Sequence, residues 1–225
     1  MKKFMIILFT FTSIIIMSSV LACRNRSIGQ PAMEPTDTPI PTSTPTATPT
    51  TTPRVIAGMI DDFADCEGSN VYGGPWFIYG AGVNTFTNPP PVVTPGYKGN
   101  SDCAIKFEGS AAISCDYGVW MVNAILSGAP ADLSGNTAIS FYSKGSGTYR
   151  IVLMSNATEN NDYQWTFNAT TDWTRIEIPF SSFTQPQTWG AVELSKALSE
   201  DVRIGWANGQ CNMTIDLLVD EIEVY

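Results

Sequence analysis

The sequence predicts an all-β fold for residues 55–225, a two-sheet antiparallel β-sandwich of the jelly-roll type. No long stretch of the chain carries the 3.6-residue apolar period of an amphipathic helix. Short runs of alternating or β-branched residues dominate instead, and Gly, Asn, Asp and Pro separate them. Roughly ten such runs at this spacing are typical of a sandwich or a jelly roll.

The predicted strands follow one another at short intervals along the domain. They cover residues 55–63, 76–79, 103–107, 111–116, 120–126, 137–143, 149–155, 163–168, 174–178, 202–207 and 213–224. The sequence CAIKFEGSAAISC indicates a hairpin that turns at Gly109. Only residues 191–198 look helical, and residues 84–99 form a Pro-rich loop of a length that is often functional.

The first 54 residues are expected to lie outside the folded domain. Lys2 and Lys3 precede an apolar run over residues 4–20, which is the layout of a secretory signal peptide. The pair Ala22-Cys23 then resembles the end of a bacterial lipobox. We therefore expect cleavage after residue 22 and lipidation of Cys23, which would anchor the protein outside the cytoplasm on the cell envelope. An ordinary signal peptide is the alternative.

Residues 23–54 form a Thr- and Pro-rich linker. Such a segment has too little apolar surface to fold. Its prolines favour an extended polyproline II conformation, so we expect it to act as a spacer between the anchor and the domain at 55–225.

The domain at 55–225 is strongly acidic, with seven basic and 19 acidic residues and a net charge of −12. This argues against nucleic acid as a partner, because nucleic-acid affinity comes from Lys and Arg that neutralise phosphates. It also disfavours anionic membrane surfaces and acidic polysaccharides. The charge favours a neutral ligand or a bound cation, and we expect the protein to be a monomer.

Four cysteines remain in the domain once Cys23 is assigned to the anchor. An even number in an exported domain predicts two disulfides, and three pairings are open. The predicted hairpin favours Cys103 with Cys115, which leaves Cys66 with Cys211. A zinc site is the alternative, but the sequence has no CxxC pair.

Catalysis has little support in the sequence. The chain contains no histidine, which removes the commonest general base and any Ser-His arrangement. A carboxylate pair in the C-terminal run from Asp216 to Glu223 is the alternative, as in glycosidases. That run is better explained as a solvated strand end or a set of metal ligands, so we expect no enzymatic activity.

Aromatic residues surrounded by polar ones are more informative. Sugars present C–H patches that stack on flat rings, while their hydroxyl groups need fixed polar partners. Trp165, Trp189 and Trp206 each lie among Asn, Asp, Gln, Thr or Arg residues, which favours a sugar-binding surface. For any single tryptophan, core packing is the alternative.

Five segments together resemble a known family. They are Ile60-Asp61-Asp62-Phe63, Gly73-Gly74-Pro75-Trp76, the run WTRIEIPFSSF at residues 173–183, Ile204-Gly205-Trp206-Ala207 and Leu218-Val219-Asp220-Glu221-Ile222. Their order is similar to that of family 11 carbohydrate-binding modules and their galactose-binding-like jelly-roll relatives, which include CIA30-type domains. The resemblance covers most of residues 56–225.

The resemblance implies a β-sandwich whose concave face binds β-glucan chains. The residues that match the family's binding positions are the aromatic Tyr79, Tyr117, Trp189 and Trp206, the polar Asn161, Asp162 and Gln164, and the acidic Glu200 and Asp201. It also implies a structural Ca²⁺, for which Asp62 and Asp220 are the candidate ligands, since hard oxygen donors suit this ion. The predicted function is non-catalytic polysaccharide binding, and a protein-binding CIA30-like module is the alternative.

Overall fold

The computed structural model describes residues 52–80, 90–100, 102–111, 119–126, 129–210 and 212–225. Contacts divide the chain into Met1–Ala47 and Thr48–Tyr225, and every described residue belongs to the second unit. Within these described ranges, no helix combines the length and the apolar character that a bilayer-spanning segment needs.

The second unit is built from β-strands. The strands are β1 (Arg54–Val55), β2 (Gly58–Asp61), β3 (Trp76–Gly80), β4 (Val92–Val93), β5 (Ala104–Ala111), β6 (Val119–Ala124), β7 (Ala131–Asp132), β8 (Ala138–Met154), β9 (Tyr163–Ala169), β10 (Thr174–Pro179), β11 (Arg203–Asn208) and β12 (Met213–Val224). A 3₁₀ turn (Phe180–Ser182) and a short helix α1 (Leu194–Ser199) lie between β10 and β11. The all-β prediction is confirmed.

Ladder pairing arranges the larger strands in two antiparallel sheets. The first sheet has the order β3-β6-β11-β8-β9. The second has the order β10-β8-β12-β5-β4, with β2 on the C-terminal end of β12. The 17-residue strand β8 belongs to both sheets. Its first half pairs with β10 and β12, and its second half pairs with β9 and β11.

The inner faces of the two sheets form one hydrophobic core. Alternation along β8 places Phe141, Tyr149 and Ile151 in this core, each fully buried. Trp76 and Trp206 add two large buried rings from the first sheet, with their ring centroids 5.8 Å apart. The pattern of alternate burial is what packing of two antiparallel sheets requires.

The sequence predicts two strands at 137–143 and 149–155, where the structure has the single strand β8. Gly145 and Gly147 read as a break in the sequence, but they allow the strand to pass from one sheet to the other. A Cβ atom at Gly145 would lie 2.1 Å from the carbonyl oxygen of Asp216. The glycine is therefore required by close backbone approach rather than by a turn.

The disulfide prediction is wrong. Cys66 is bonded to Cys103, with the two Cα atoms 5.4 Å apart, which excludes the predicted Cys66–Cys211 and Cys103–Cys115 bonds. Gly109 is the reason, because it lies inside the continuous strand β5 and pairs with Ile215 of β12. The chain does not turn there. Cys115 and Cys211 themselves lie outside the described residues.

A buried carboxylate connects β2 to the core. Asp61 is 2% exposed. Its Oδ2 accepts a 2.7 Å hydrogen bond from the indole nitrogen of Trp76, and its Oδ1 accepts a 3.0 Å bond from the backbone N–H of Phe63. Burial is the largest influence on this group and raises the pKa of Asp61 to about 7, against the lowering effect of the two hydrogen bonds.

Candidate functional site

The outer face of the first sheet carries both apolar and polar side chains. Val152 and Ala207 are buried there with Met154, and Phe77 packs against them. These residues alternate with the core-facing residues of the same strands. Backbone pairing also places Tyr79 of β3 opposite Trp120 of β6, and Trp120 opposite Ala207 of β11. The Tyr79 side chain and all of Tyr117 lie outside the described residues.

An arginine on this face organises the polar groups beside the apolar cluster. The Arg150 guanidinium donates a 2.9 Å hydrogen bond to Oε1 of Gln164 and two bonds, of 3.2 and 3.1 Å, to the carbonyl oxygen of Asn208. Burial lowers the pKa of Arg150. Gln164, a predicted ligand residue, is thus placed on the outer face and paired with Arg150. The sequence prediction missed Arg150, although its alternation with Tyr149 and Ile151 indicates its orientation.

A polar pocket of about 260 Å³ opens at one end of the first sheet, where β8 ends and β9 and β11 begin. Its lining residues are Met154, Ser155, Asn156, Glu159, Asn160, Asp162, Asp201 and Arg203. The pocket brings together Asp162 and Asp201, two of the predicted ligand residues that are separated by 39 positions in the sequence. Sequence reasoning missed Asn156 and Arg203, which are polar residues at strand ends.

Hydrogen bonds hold the two pocket carboxylates in place. Asp162 accepts a 3.3 Å bond from the Ser155 backbone N–H and a second bond from the Thr158 hydroxyl. Burial raises the pKa of Asp162. Asp201 accepts a bond of 3.2 Å from the Asn156 amide and one of 3.3 Å from the Arg203 guanidinium. Glu200, the other predicted acidic residue, contributes its backbone carbonyl to Ser155.

The pocket also concentrates unusual backbone conformations. Three of its lining residues have positive φ angles, which are +46° at Glu159, +74° at Asn160 and +51° at Asp201. Residues other than glycine adopt this region at a cost, and such positions cluster at functional sites. The observation favours the pocket as the functional end of the sheet.

Next to the pocket, the loop between the 3₁₀ turn and α1 presents Trp189 to solvent. The Trp189 side chain is 59% exposed, in contrast to the core tryptophans. Asn161 connects this loop to the pocket, because it lies between the lining residues Asn160 and Asp162 and bonds the loop backbone at Gln187 and Trp189. Asn161 therefore joins the loop that carries the exposed ring to the polar groups of the pocket.

Two predicted ligand residues are core or scaffold residues instead. Trp206 is fully buried against Trp76 and Phe141, so the prediction that it contacts a ligand is wrong. Asn161 is also fully buried, and its amide is bonded to backbone rather than turned to solvent. Trp165 is half-buried and stacks on Phe167, on the core side of β9.

Acidic groups converge on the outer side of the second sheet. Asp102, Asp220 and Glu221 each offer a carboxylate oxygen, and these oxygens lie within 4.8 Å of one another. Asp220 accepts hydrogen bonds from the backbone N–H groups of Tyr97 and Glu221, and Lys98 forms a 2.5 Å ion pair with Glu221. The carboxylate donors fit a hard cation.

This group contains one of the two predicted metal ligands. Asp220 belongs to it with Asp102 and Glu221, and Asp62 does not. The Asp62 carboxylate accepts a hydrogen bond from the Ala64 backbone N–H instead.

The chain is similar to known proteins in its fold. No protein-family model matches the chain, and no curated protein matches it. Among solved structures, it is similar to the family 11 carbohydrate-binding module of the cellulosomal cellulase Lic26A-Cel5E of Clostridium thermocellum, with a TM-score of 0.54 and 21% identity over 76% of this chain and 95% of that one. At this identity the likeness is one of fold, and it confirms the jelly-roll sandwich.

Two further structures have the same fold. One is a family 11 module from Clostridium thermocellum in complex with a β-1,3-1,4-mixed-linked tetrasaccharide, with a TM-score of 0.53 and 22% identity over 75% of this chain and 96% of that one. The other is the family 30 module of the cellulosomal cellulase Cel9D-Cel44B of Clostridium thermocellum, with a TM-score of 0.52 and 14% identity over 67% and 90% of the two chains.

Proposed function

We propose that this protein is a non-catalytic module that binds neutral polysaccharide chains of the β-glucan type. The observation that carries the proposal is the exposed Trp189 on an ordered loop beside a polar pocket lined by Asp162 and Asp201. The shared fold with a module solved in complex with a mixed-linked tetrasaccharide supports the same ligand class.

The residues divide the work of binding by their chemistry. The flat indole of Trp189 stacks on the C–H face of a pyranose. Asp162 and Asp201 accept hydrogen bonds from sugar hydroxyl groups, and Asn156 and Arg203 donate them. Met154 connects the pocket to the apolar outer face of the first sheet, which gives a chain of sugars a surface to follow. No bond is broken in this mechanism.

The charge of the pocket sets a preference among sugars. Three carboxylates, those of Glu159, Asp162 and Asp201, face one guanidinium, that of Arg203. An added carboxylate on the ligand would meet like charges, which costs binding free energy. We therefore expect neutral polymers to bind and uronic acid polymers to be rejected.

Titration calorimetry with a polysaccharide panel tests this proposal. The purified protein is titrated with β-1,3-1,4-glucan, xylan and mannan as neutral polymers and with polygalacturonate as the charged control. Binding of at least one neutral polymer with no heat from polygalacturonate supports the proposal. Binding of none of them, or tighter binding of polygalacturonate, contradicts it.

We also propose that Cys23 carries the lipid that holds the module at the cell envelope. Residues 4–20 and Ala22-Cys23 support this, and a linker of 32 residues would give the domain reach and avidity for an extended polymer. Expressed in a bacterial host, the protein is expected in the membrane fraction, and Cys23→Ser is expected to release it to the soluble fraction. Ser27→Ala, a change four residues further along the same segment, is the matched control and keeps the lipid. Membrane retention of Cys23→Ser would exclude the anchor.

A structural Ca²⁺ is the third proposal. Asp102, Asp220 and Glu221 would hold the ion, which would neutralise their mutual repulsion and join β12 to the loop before β5. At a free Ca²⁺ concentration of about 100 times Kd, a bound ion adds about 2.7 kcal/mol to stability. A domain of this size then melts roughly 5–10 °C higher.

Thermal melting in Ca²⁺ and in EDTA tests the cation proposal. The melting temperature of the wild type is expected to rise in Ca²⁺, and Asp102→Asn is expected to lose the rise. Glu67→Gln, which changes an exposed carboxylate outside the group, is the matched control and should keep it. Equal melting temperatures of the wild type in Ca²⁺ and EDTA would exclude the site.

A further inference from the structure

The loop from Thr184 to Val192 is held by an unusually complete set of side-chain hydrogen bonds. Asn161 is 0% exposed, and its amide nitrogen donates to the carbonyl oxygens of Gln187 at 3.0 Å and Trp189 at 2.9 Å. Its amide oxygen accepts a 3.0 Å bond from the Gln187 backbone N–H. Both donors of this amide are therefore used, and all three bonds go to the loop that carries the exposed Trp189.

The side chains of Gln185 and Tyr163 form further hydrogen bonds at the other end of the same loop. Gln185 donates from Nε2 to the carbonyl oxygen of Asn161 and accepts at Oε1 from the Val192 backbone N–H. The Tyr163 hydroxyl donates a 2.6 Å bond to the carbonyl oxygen of Val192. The loop backbone is thus bonded on both sides of Trp189, although the loop itself has no regular secondary structure.

We propose that Asn161 is a positioning residue that fixes the Trp189 indole for its ligand before the ligand arrives. The inference rests on the proposed function, in which Trp189 stacks on a sugar. Ordering a flexible loop on binding costs affinity, and a loop ordered in advance avoids that cost. A buried amide bonded only to the loop backbone serves this purpose, while its chain neighbours Asn160 and Asp162 line the pocket. The backbone that carries the ring is thereby joined to the chain that lines the pocket.

The burial of Asn161 means that it acts on a ligand only indirectly. Sequence resemblance places it among the ligand contacts, but a fully buried side chain does not reach a ligand. Its effect on binding is transmitted through Trp189. Asn161→Ala is therefore expected to weaken glycan binding only while Trp189 is present.

The first measurement uses the ligand-free protein. In nitrogen-15 relaxation, the indole N–H of Trp189 in the wild type is expected to be as ordered as the backbone of β9. In Asn161→Ala it is expected to become mobile on the nanosecond timescale. Thr188→Ala, an exposed change in the same loop, is the matched control and should leave the indole unchanged. An unchanged Trp189 indole in Asn161→Ala overturns the proposal.

The second measurement is a double-mutant cycle with the β-1,3-1,4-glucan oligosaccharide. Asn161→Ala is expected to weaken binding about 3- to 10-fold, which is the effect of one newly mobile side chain. In the Trp189→Ala background the same change is expected to have no further effect. An equal loss in both backgrounds overturns the positioning role.

The two measurements distinguish failure of the proposed function from failure of the positioning role of Asn161. If the wild type binds no glycan, the proposed function fails, while the relaxation of the ligand-free indole still decides whether Asn161 orders Trp189. If Asn161→Ala does not fold, Gln185→Ala removes the second pair of bonds and is expected to mobilise the same indole. An immobile indole in folded Gln185→Ala then overturns the proposal.

Discussion

Replacing Trp189 with alanine is expected to weaken the binding of a β-1,3-1,4-glucan oligosaccharide about 30-fold, which corresponds to about 2 kcal/mol. The reason is that the ring is the anchor of the proposed site, and 59% of its surface is exposed. Truncation removes the stacking contact and leaves the pocket hydrogen bonds in place. Isothermal titration of the two proteins measures the ratio of their dissociation constants.

The control for this change is Tyr97→Ala. Tyr97 is also an exposed ring, 38% accessible, but it stacks on Tyr142 at the outer side of the second sheet. The Tyr97→Ala substitution is expected to leave glycan affinity unchanged. If Trp189→Ala binds as tightly as the wild type while Tyr97→Ala loses affinity, the ligand lies on the second sheet and the site proposed at the end of the first sheet is wrong.

The stability of the domain is expected to fall by about 4 kcal/mol between about pH 4 and pH 8 through Asp61 alone. Burial raises its pKa in the folded protein to about 7, whereas the unfolded chain has the ordinary value near 4. A carboxyl group with a raised pKa favours folding while it is protonated. Its contribution is complete below pH 4 and is lost as the pH rises through 7.

Urea unfolding across this pH range measures the effect. Asp61→Asn does not ionise and retains an oxygen that accepts one of the two hydrogen bonds, so its stability is expected to depend less on pH. The difference from the wild type isolates Asp61 from the other carboxylates. Asp65→Asn, at an exposed position nearby, should follow the wild type. If the unfolding free energy of Asp61→Asn depends on pH as strongly as that of the wild type, the pH dependence does not come from Asp61.

Most of the fold follows from the strand pattern, and the errors come from glycine. In the sequence Gly109 indicates a turn, and Gly145 and Gly147 indicate a break between two strands, yet all three lie within strands. Local sequence does not distinguish a glycine that turns the chain from one that allows another backbone to approach, since the approaching residue is distant along the chain. The disulfide prediction failed for the same reason, because it depended on a turn at Gly109.

The predicted site residues that the structure brings together lie in loops and at strand ends, whereas Trp206, within a strand, lies in the core. Asp162, Asp201 and Trp189 were identified from polar and aromatic context and resemblance, and all three lie at or beside the pocket. Trp206 was misassigned because its polar neighbours suggested a surface. Trp206 and Ile204 are two positions apart on β11, so their side chains lie on the same face of the strand. The aliphatic Ile204 is therefore the signal that identifies Trp206 as a core residue.

Nitrogen-15 correlation spectra of the protein titrated with the β-1,3-1,4-linked tetrasaccharide test the central claim most directly. The indole N–H signals of the tryptophans act as reporters placed across the domain. We expect the Trp189 signal and the backbone signals of Asp162 and Asp201 to shift, while the buried Trp206 indole stays in place. An unchanged spectrum, or shifts confined to Tyr97, Tyr142 and Trp173 on the second sheet, would contradict glycan binding at this site.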